Sequence, residues 1–347
     1  MKKVILLISL FNFFNTSALS LKEMTNEDGV IWGFDFLNKN EVIYSLKSGK
    51  LYHKNLITNK KTELNAPKAK VTGQGGLLDV FIDKTTIYLT FADQVGEHTT
   101  TSLASGQYKD KKILNLKTIF KANVYGKTGR HFGSRLEKDG KYLFMTIGDR
   151  GDRDYAQKLN FHNGTIVRLN LDGSTPKDNP FYNKKGALKE IWSYGHRNPQ
   201  GIAKDPISGD LYSCEFGPRG GDELNLIQKG KNYGWPVITY GSEYWGPSIG
   251  EKKHPNMEQP ISYWVPSISP SGMSFYSGSR YKDWKGNVFL ANLSSKHLRR
   301  LVLENKKVIK QEELFKDKGE RFRQVRQSPD DYLYVSTDSG KIYKLIP

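Results

Sequence analysis

The sequence predicts an all-β fold, and two observations support that prediction. Sustained helical periodicity is nearly absent over the 347 residues, and short alternating apolar and polar runs are broken by Gly, Asp, Asn and Ser instead. A loose repeat, in which a polar turn precedes an apolar or aromatic strand, also recurs six times. Six repeats favour a six-bladed β-propeller of four-stranded antiparallel blades, and a two-sheet sandwich is the open alternative.

The six repeats are spaced unequally, which propellers tolerate because their loops vary in length. In chain order they are SGKLYHKNL from Ser48, DKTTIYLTFAD from Asp83, DGKYLFMTIGD from Asp139, SGDLYSCEFGP from Ser208, KGNVFLANLS from Lys285 and PDDYLYVSTD from Pro329. We expect the last strand, 341–346, to close the ring with the strand-like segment 29–36, since an unpaired strand leaves a sheet edge exposed. No linker rich in Pro, Gly or Ser divides residues 21–347, so we expect one catalytic propeller domain.

Residues 1–20 have the pattern of a secretory signal. Two lysines precede an apolar run over residues 4–14, and small residues at Ala18 and Ser20 favour cleavage after Ser20. A retained membrane anchor is the alternative, but the run is far shorter than the roughly 20 residues that a spanning helix needs. We therefore expect an exported, periplasmic protein.

The chain is strongly basic, with 53 Lys and Arg against 36 Asp and Glu, a formal net charge of +17. This charge favours peripheral contact with anionic membranes, acidic redox proteins or an anionic cofactor, and a solvated lysine-rich surface is the simpler alternative. Nucleic acid is not expected as a partner, because the chain is predicted to be exported and contains no nucleic-acid recognition motif. Cys214 is the only cysteine, so no internal disulfide forms, and we expect a buried, inert thiol.

Segment 190–236 concentrates residue types that hold a hard cation and an anion together. Arg197 and Asn198 supply a permanent cation and an amide, Gly217 and Pro218 let main-chain carbonyls turn toward a ligand, and residues 222–223 add two carboxylates. A tight turn between strands is the alternative for the isolated GPRGGD run.

Six motifs give this segment a wider context: HFGSRL at 131–136, TIGDRG at 146–151, DNPF at 178–181, GHRNPQG at 195–201, GPRGGDELN at 217–225 and KGKNYGWP at 229–236. In this order and spacing they resemble the soluble quinoprotein glucose dehydrogenase and aldose sugar dehydrogenase family. The resemblance runs from about residue 74 to the C-terminus. It implies a six-bladed propeller that uses pyrroloquinoline quinone (PQQ) and calcium to oxidise aldose sugars at C1 to lactones, and that passes electrons to a quinone pool or a cytochrome.

The resemblance implies a role for four residues near the quinone. His131 matches the family's catalytic histidine, and an imidazole suits a general base because its ordinary pKa of about 6.5 lies near neutral pH. Arg197 and Asn198 match residues that hold the quinone oxygens, where a guanidinium stabilises developing negative charge. Gln74 matches a position that contacts cofactor or sugar. For each residue, an ordinary surface or packing role is the alternative.

The resemblance also implies two calcium positions. The cofactor calcium would take the main-chain oxygens of Gly217 and Pro218, and Asp222 would lie beside them on the substrate side and orient that shell. Glu223 and Tyr233 match a second calcium site associated with structure or dimer contacts. Whether the protein is a monomer or a homodimer is left open.

Near the C-terminus, Arg321 and Arg323 are two residues apart, so on a strand both side chains project from one face. They match family arginines that bind the tricarboxylate cofactor through charge-assisted hydrogen bonds. Ser267 matches a hydroxyl residue near the cofactor. Ser294 stands where relatives tend to place a cofactor-binding lysine, and Lys296 is the expected substitute.

Two aromatic residues are expected on the substrate side. Phe216 departs from the family pattern, in which glutamine or histidine precedes Gly-Pro, and Trp264 is expected to wall the pocket, with an ordinary core position as its alternative. The run GDRGDRD at 148–154 lacks EF-hand spacing and is interpreted as a connecting loop.

Two competing functions remain open at this point. One is a non-catalytic propeller of the same ancestry that binds carbohydrate or protein, which the departures at Phe216 and Ser294 favour. The other is a calcium-dependent lactone hydrolase, which needs metal-binding acids converging on the propeller axis.

Overall fold

A computed structural model describes residues 19–126 and 128–347, and almost all of its regular structure is β-strand. The strands form six sheets of four antiparallel strands each. This architecture confirms the six-bladed propeller predicted from the repeats and rules out the two-sheet sandwich.

The first strand, β1 (Ser20–Asn26), belongs to the last blade, so blade 1 begins at the second strand. Blade 1 contains β2 (Ile31–Asn38), β3 (Glu41–Leu46), β4 (Leu51–Asn55) and β5 (Lys61–Leu64); blade 2 contains β6 (Leu77–Asp83), β7 (Thr86–Val95), β8 (His98–Lys109) and β9 (Lys112–Lys121); blade 3 contains β10 (Leu136–Asp139), β11 (Tyr142–Ile147), β12 (Thr165–Asn170) and β13 (Ile191–Tyr194).

The remaining blades follow the same order, and two short 3-10 helices, Arg153–Gln157 and Lys316–Lys318, lie in connecting loops. Blade 4 contains β14 (Pro199–Lys204), β15 (Leu211–Glu215), β16 (Asp222–Ile227) and β17 (Ser262–Trp264); blade 5 contains β18 (Pro270–Phe275), β19 (Val288–Asn292), β20 (Leu298–Glu304) and β21 (Lys307–Leu314); blade 6 contains β22 (Phe322–Gln327), β23 (Leu333–Thr337), β24 (Lys341–Ile346) and β1.

The ring closes through β1, and the predicted partner of the last strand was wrong. Strand β24 pairs antiparallel with β1, from Ser20 opposite Ile346 to Asn26 opposite Lys341. Segment 29–36 instead contributes most of β2, the innermost strand of blade 1. Strand β1, with the sequence SLKEMTN, was not recognised from the apolar pattern of the sequence. An outermost strand has a solvated edge and needs few apolar residues.

Five of the six repeats correspond to the second strand of a blade: β7, β11, β15, β19 and β23. The first repeat, from Ser48, is instead the third strand of blade 1, β4. Second strands are flanked by strands on both sides and buried by the neighbouring blades, as the uniformly buried pattern of β15, β19 and β23 shows. They therefore carry the clearest apolar signal in the sequence.

A single guanidinium ties all six blades together on the propeller axis. Arg135, directly before β10 of blade 3, is 3% exposed. Its donors reach the carboxylate of Asp79 in blade 2 at 2.9 Å and four inner-strand carbonyls of the other blades: Trp32 (3.1 Å), Gln200 (3.0 Å), Ser271 (2.7 Å) and Arg323 (2.9 Å). Because the five N–H groups of arginine form a rigid fork, this residue fills the channel and separates its two mouths.

The predicted signal falls on residues 1–20, of which 1–18 lie outside the described residues, so the signal and the domain boundary at residue 21 stay predictions. Within residues 19–126 and 128–347, no helix is long and apolar enough to cross a membrane. Cys214 is fully buried, and burial raises the pKa of its thiol, which agrees with an inert packing role.

Candidate active site

The sequence-predicted residues gather at one mouth of the channel because of where they stand relative to the inner strands. Gln74, His131, Arg197, Ser267 and Arg321 each precede the first strand of a blade by at most five residues. Inner strands of a propeller run in the same direction, so their starting ends share one mouth. The loops joining second and third strands reach the same mouth, and they carry Phe216, Gly217, Pro218 and Lys296.

His131 is held as a base by a chain of hydrogen bonds. Its Nδ1 lies 2.6 Å from Oδ1 of Asp149, and Oδ2 of Asp149 accepts a hydrogen bond of 2.8 Å from Nε1 of Trp235. The carboxylate accepts the Nδ1 proton, which leaves Nε2 as the acceptor on the opposite side of the ring. Gly148 makes this approach feasible, because a Cβ there would lie 2.1 Å from the His131 carbonyl oxygen.

The electrostatics of this pair favour a neutral imidazole beside an ionised carboxylate. Burial lowers the pKa of His131 below its ordinary value, and the charge of Asp149 only partly opposes that shift. Burial alone would raise the pKa of Asp149, but the charge and hydrogen bond of His131, together with the N–H of Gly151, lower it overall. His131 is therefore ready to accept a proton at neutral pH.

Arg197 and Asn198 bring donors to the same mouth. The backbone N–H of Arg197 donates to Glu215 (2.6 Å), and its Nη1 donates to the carbonyls of Phe216 (3.1 Å) and Gly217 (2.9 Å). Asn198 is fully buried, its Oδ1 accepts the N–H of Gly133 at 3.2 Å, and its Nδ2 has no partner in the described structure. A buried amide without a partner points to a missing ligand oxygen.

The Gly217 to Asp222 loop is tightly packed, and Asp222 lies buried against it. A Cβ at Gly217 would lie 2.1 Å from the Gly220 carbonyl, so only glycine fits this close approach. Asp222 is fully buried, and its oxygens accept the N–H of Gly217 (2.9 Å), the hydroxyl of Ser267 (2.7 Å) and two further backbone N–H groups. Asp222 therefore fixes the loop that carries the Gly217 and Pro218 carbonyls, in agreement with the orienting role expected of it, and its place on the substrate side stays a prediction.

Glu223 and Tyr233 line one small cavity of about 10 Å³, together with Glu215. That volume holds about one water or ion. Burial, followed by the charge of Glu215, raises the pKa of Glu223 well above its ordinary value, so a cation there would relieve the repulsion. The Tyr233 hydroxyl is already engaged, since it donates to the Leu226 carbonyl at 2.5 Å and accepts the N–H of Gln228 at 2.9 Å. The Tyr233 hydroxyl therefore keeps only one lone pair for a cation.

Arg321 and Arg323 share one face, as their spacing predicted, and both bind Asp338. Arg321 Nε donates to one Asp338 oxygen at 2.9 Å, and Arg323 reaches the other at 2.7 Å. The Arg321 side chain is 47% exposed, whereas Arg323 is 7% exposed and lies over the ring of Trp32. Asp338 therefore holds the pair in place, and Arg321 keeps the more accessible donors.

The neighbouring loops place Ser267 and Lys296 at the same mouth. Ser267 lies against Asp222, and its carbonyl accepts the hydroxyl of Ser294 at 3.0 Å, so the serine that replaces the expected lysine joins two loops. Lys296 is exposed in the loop between β19 and β20 and has a left-handed φ of 51°. Its use as a substitute ligand stays a prediction.

The three other predicted residues occupy different environments. Gln74 accepts the backbone N–H of His131 at 2.8 Å through its side-chain oxygen, so it supports the base directly. Phe216 is half-buried beside Arg197 and lines the small cavity. Trp264 packs in the apolar core of blades 4 and 5, and its Nε1 donates to Gln311 at 3.0 Å. The structure thus places Trp264 in the core position that was its alternative.

Two residues of the candidate active site were not predicted from the sequence. Asp149 lies in GDRGDRD, which was interpreted as a connecting loop, and Trp235 ends the KGKNYGW run without a role being assigned. An aspartate flanked by two glycine positions after a strand was the available signal, because such loops approach a neighbouring side chain closely. Only the fold shows that this loop faces His131.

Among the described residues, no group of three or more His, Cys, Asp or Glu side chains is arranged to hold a metal ion. The donor set at this mouth is instead one of main-chain carbonyls, guanidinium groups and an unpaired amide. A histidine base beside such an anion-binding set, at the mouth of a six-bladed propeller, defines a candidate catalytic propeller.

Comparisons with known proteins give the particular family. Residues 29–344 match the family model described as glucose/sorbosone dehydrogenase. The aldose sugar dehydrogenase YliI of Escherichia coli (strain K12) is 40% identical over 333 residues, which cover 91% of this chain and 90% of that protein. Quinoprotein glucose dehydrogenase B of Acinetobacter calcoaceticus is 34% identical over 44% of this chain and 35% of its own length.

Solved structures agree with the sequence matches. The apo-form of the soluble aldose sugar dehydrogenase from Escherichia coli superposes with a TM-score of 0.91 at 37% identity, covering 95% of this chain and 99% of that one. The PQQ-bound aldose sugar dehydrogenase from Streptomyces coelicolor superposes with a TM-score of 0.77 at 25% identity, covering 94% and 98%. The chain belongs to the glucose/sorbosone dehydrogenase family.

Proposed function

We propose that the protein oxidises aldose sugars at C1 to lactones with PQQ and calcium. The observation that carries this proposal is the His131, Asp149 and Trp235 hydrogen-bond chain, which aims a neutral imidazole at the mouth where Asn198 has an unpaired amide. A family member is known in a PQQ-bound form, and that relative covers nearly the whole chain.

The residues present fit a tricarboxylate quinone and a hard cation. Arg321 and Arg323 would hold carboxylate groups, Asn198 would donate to a ring oxygen, and the carbonyls of Gly217 and Pro218 would face the cation. Arg197 already donates to the Gly217 carbonyl at 2.9 Å, so a cation would have to use the second lone pair of that oxygen. PQQ supplies a two-electron acceptor for the hydride that leaves C1.

The protein's own residues carry the proton chemistry. Nε2 of His131 accepts the proton of the C1 hydroxyl, and Asp149 stabilises the imidazolium that forms. Arg197 offers a permanent positive charge where negative charge develops. Export to the periplasm, and onward transfer of electrons to a quinone pool or a cytochrome, complete the proposal and follow from the predicted signal and the family resemblance.

The competing functions receive less support from the site. A lactone hydrolase with calcium needs converging acids, and the described residues show no such group of three. A non-catalytic sugar-binding propeller has no need of a buried aspartate that fixes the tautomer of a histidine.

Reconstitution tests the proposal directly. The purified protein is titrated with PQQ in the presence of calcium or excess chelator, and dye reduction is then followed over a panel of aldoses. We expect PQQ binding only with calcium, and activity with at least one aldose. Equal binding in chelator would overturn the role of the Gly217 and Pro218 carbonyls, and absence of activity from the fully loaded protein would overturn the function.

A further inference from the structure

A hairpin at residues 242–248 displays two large aromatic side chains to solvent. Trp245 is 75% exposed and Tyr244 is 66% exposed. Both are the central residues of a turn closed by the Gly246 N–H, which donates to the Glu243 carbonyl at 3.0 Å, and by the Glu243 N–H, which donates to Pro247 at 2.8 Å. The hydrophobic effect disfavours this placement unless the rings meet a partner.

The hairpin is tethered to both sides of the candidate active site. Glu243 forms a 2.7 Å ion pair with Arg153, which follows the loop that carries Asp149. The N–H of Arg219, the residue after Pro218, donates to the Ser242 carbonyl at 3.3 Å. These tethers set the aromatic tip at the rim of the same mouth as His131.

Backbone packing strengthens this attachment. A Cβ at Gly241 would lie 2.5 Å from the Gly220 carbonyl and 2.6 Å from Cδ of Pro218, so the base of the hairpin lies directly on the proposed calcium loop. The base of the hairpin is therefore packed against the site, and the aromatic tip extends from it.

We propose that Tyr244 and Trp245 form an accessory subsite for the second or a later pyranose ring of an oligosaccharide whose reducing end lies at His131. The proposal rests on the proposed sugar oxidation. The apolar C–H face of a pyranose stacks on an aromatic ring, and rigid aromatic side chains lose little conformational entropy when they bind.

The surroundings of the tip favour a sugar over a protein partner. Ser242 and Ser248 flank the two rings with hydroxyl groups, which suit the hydroxyls of a carbohydrate. A stable protein interface buries about 800 Å² on each partner, far more than two side chains on a narrow turn provide. The subsite thus binds a ring of a linear oligosaccharide beyond the one that is oxidised.

The experiment compares glucose and maltotriose as substrates of the protein loaded with PQQ and calcium. Trp245→Ala should lower kcat/KM for maltotriose about 2- to 10-fold through a higher KM, the range expected for one lost aromatic stacking contact, and should leave glucose unchanged. Trp245→Phe should retain most of the wild-type value. Ile207→Ala, which removes an apolar side chain that is 70% exposed in the turn between β14 and β15, is the matched control and should change neither substrate.

A binding measurement separates this inference from the proposed function. Calorimetric titration of the protein without PQQ should show weaker maltotriose binding for Trp245→Ala than for wild type, by a similar factor. If no aldose is oxidised, the proposed function fails and the titration still decides on the subsite. An unchanged maltotriose-to-glucose ratio, an equal loss for both sugars, or equal affinities in the titration would overturn the subsite.

Discussion

Asp149 at the site mouth and Glu137 at the opposite mouth of the channel have pKa values that are shifted in opposite directions. At the site mouth, Asp149 receives donors from His131, Trp235 and Gly151, and its pKa is lowered despite complete burial. At the other mouth, burial raises the pKa of Glu137 to about 8, and that of Asp35 is raised by burial as well.

Donors at each mouth explain the difference. Glu137 has the nearby charge of Arg326 and one backbone N–H, from Lys204, to oppose its burial, whereas Asp149 has three donors on its two oxygens. The opposite mouth surrounds a cavity of about 380 Å³, which Asp35, Glu137 and Arg326 line. Asp149 stays charged, and able to orient a base, because its His131 partner, the charge of Arg197 and its hydrogen-bond donors together outweigh the effect of burial.

The largest expected effect is on turnover at the site mouth. His131→Ala or His131→Gln should lower turnover about 10²–10⁴-fold, the range typical of a lost general base, and should leave PQQ binding nearly intact. Because burial lowers the pKa of His131, the acid limb of kcat/KM in the wild type should lie below pH 6.5, where the imidazole becomes protonated. Steady-state kinetics across pH, with a PQQ titration as the control, measures both effects. Near wild-type turnover in both variants would remove His131 from the mechanism.

Between the mouths, Arg135→Met should lower the free energy of unfolding by about 3–5 kcal/mol, because it leaves the Asp79 carboxylate and several carbonyls without their buried donor. Urea denaturation measures the change. Arg280→Met, which alters an exposed arginine, serves as the control and should be nearly neutral. If the two variants unfold at the same midpoint, Arg135 does not hold the blades together.

The arginine pair should matter for cofactor affinity. Arg321→Ala should weaken PQQ binding by about 1.5–3 kcal/mol for each charged hydrogen bond lost. Arg323→Ala should weaken it similarly, and it should also destabilise the fold, since Arg323 is buried against Asp338. Fluorescence titration with PQQ checks both variants beside Arg280→Ala. Unchanged affinity in the Arg321 variant would show that its partner is Asp338 alone.

The opposite mouth should affect stability and leave turnover unchanged. Since the folded-state pKa of Glu137 is raised to about 8, ionisation disfavours the folded state, and stability should fall as pH rises from about 4.5 to about 8. Glu137→Gln should remove that slope and stabilise the protein at pH 8 by more than about 1 kcal/mol, roughly the value of one pKa unit. Thermal unfolding at pH 5 and pH 8 measures this. A loss of kcat in this variant would contradict the separation of the two mouths.

The smallest expected effect concerns Phe216, beside Arg197. Its ring cannot donate a hydrogen bond to a sugar hydroxyl, which costs about 0.5–1.5 kcal/mol. Phe216→Gln should therefore raise kcat/KM for at least one hexose and narrow a broad aldose specificity. Wild type and variant are compared over an aldose panel, with Phe216→Leu as the apolar control. No change for any sugar would place residue 216 outside the substrate pocket.

Much of the fold could be predicted because buried strands appear in the sequence as clear apolar runs. The second strands, packed on both faces, account for five of the six repeats, and loop motifs before β10 and β14 located His131 and Arg197. The polar strand β1 was missed, because an outermost strand is defined by its partner β24 rather than by its own composition.

Part of the site could not be read from the chain, since it depends on contacts between distant segments. Asp149 and Trp235 are 86 residues apart, and nothing in either local sequence reports their hydrogen bond. Asp222 was expected beside the proposed calcium position, and only the packing of the Ser267 loop shows which donors its oxygens accept. Trp264 was ambiguous for the same reason.

Arg135 also bears on how such a ring can evolve. A fold of repeated blades can gain or lose a blade by duplication or deletion. Here, however, one guanidinium has a hydrogen-bond partner in each of the five other blades. A seventh blade would widen the axis and carry carbonyls beyond hydrogen-bond reach, and a five-bladed ring would crowd it. A change in the number of blades would therefore require the replacement of this residue at the same step. Arg135 thus restricts the propeller to six blades.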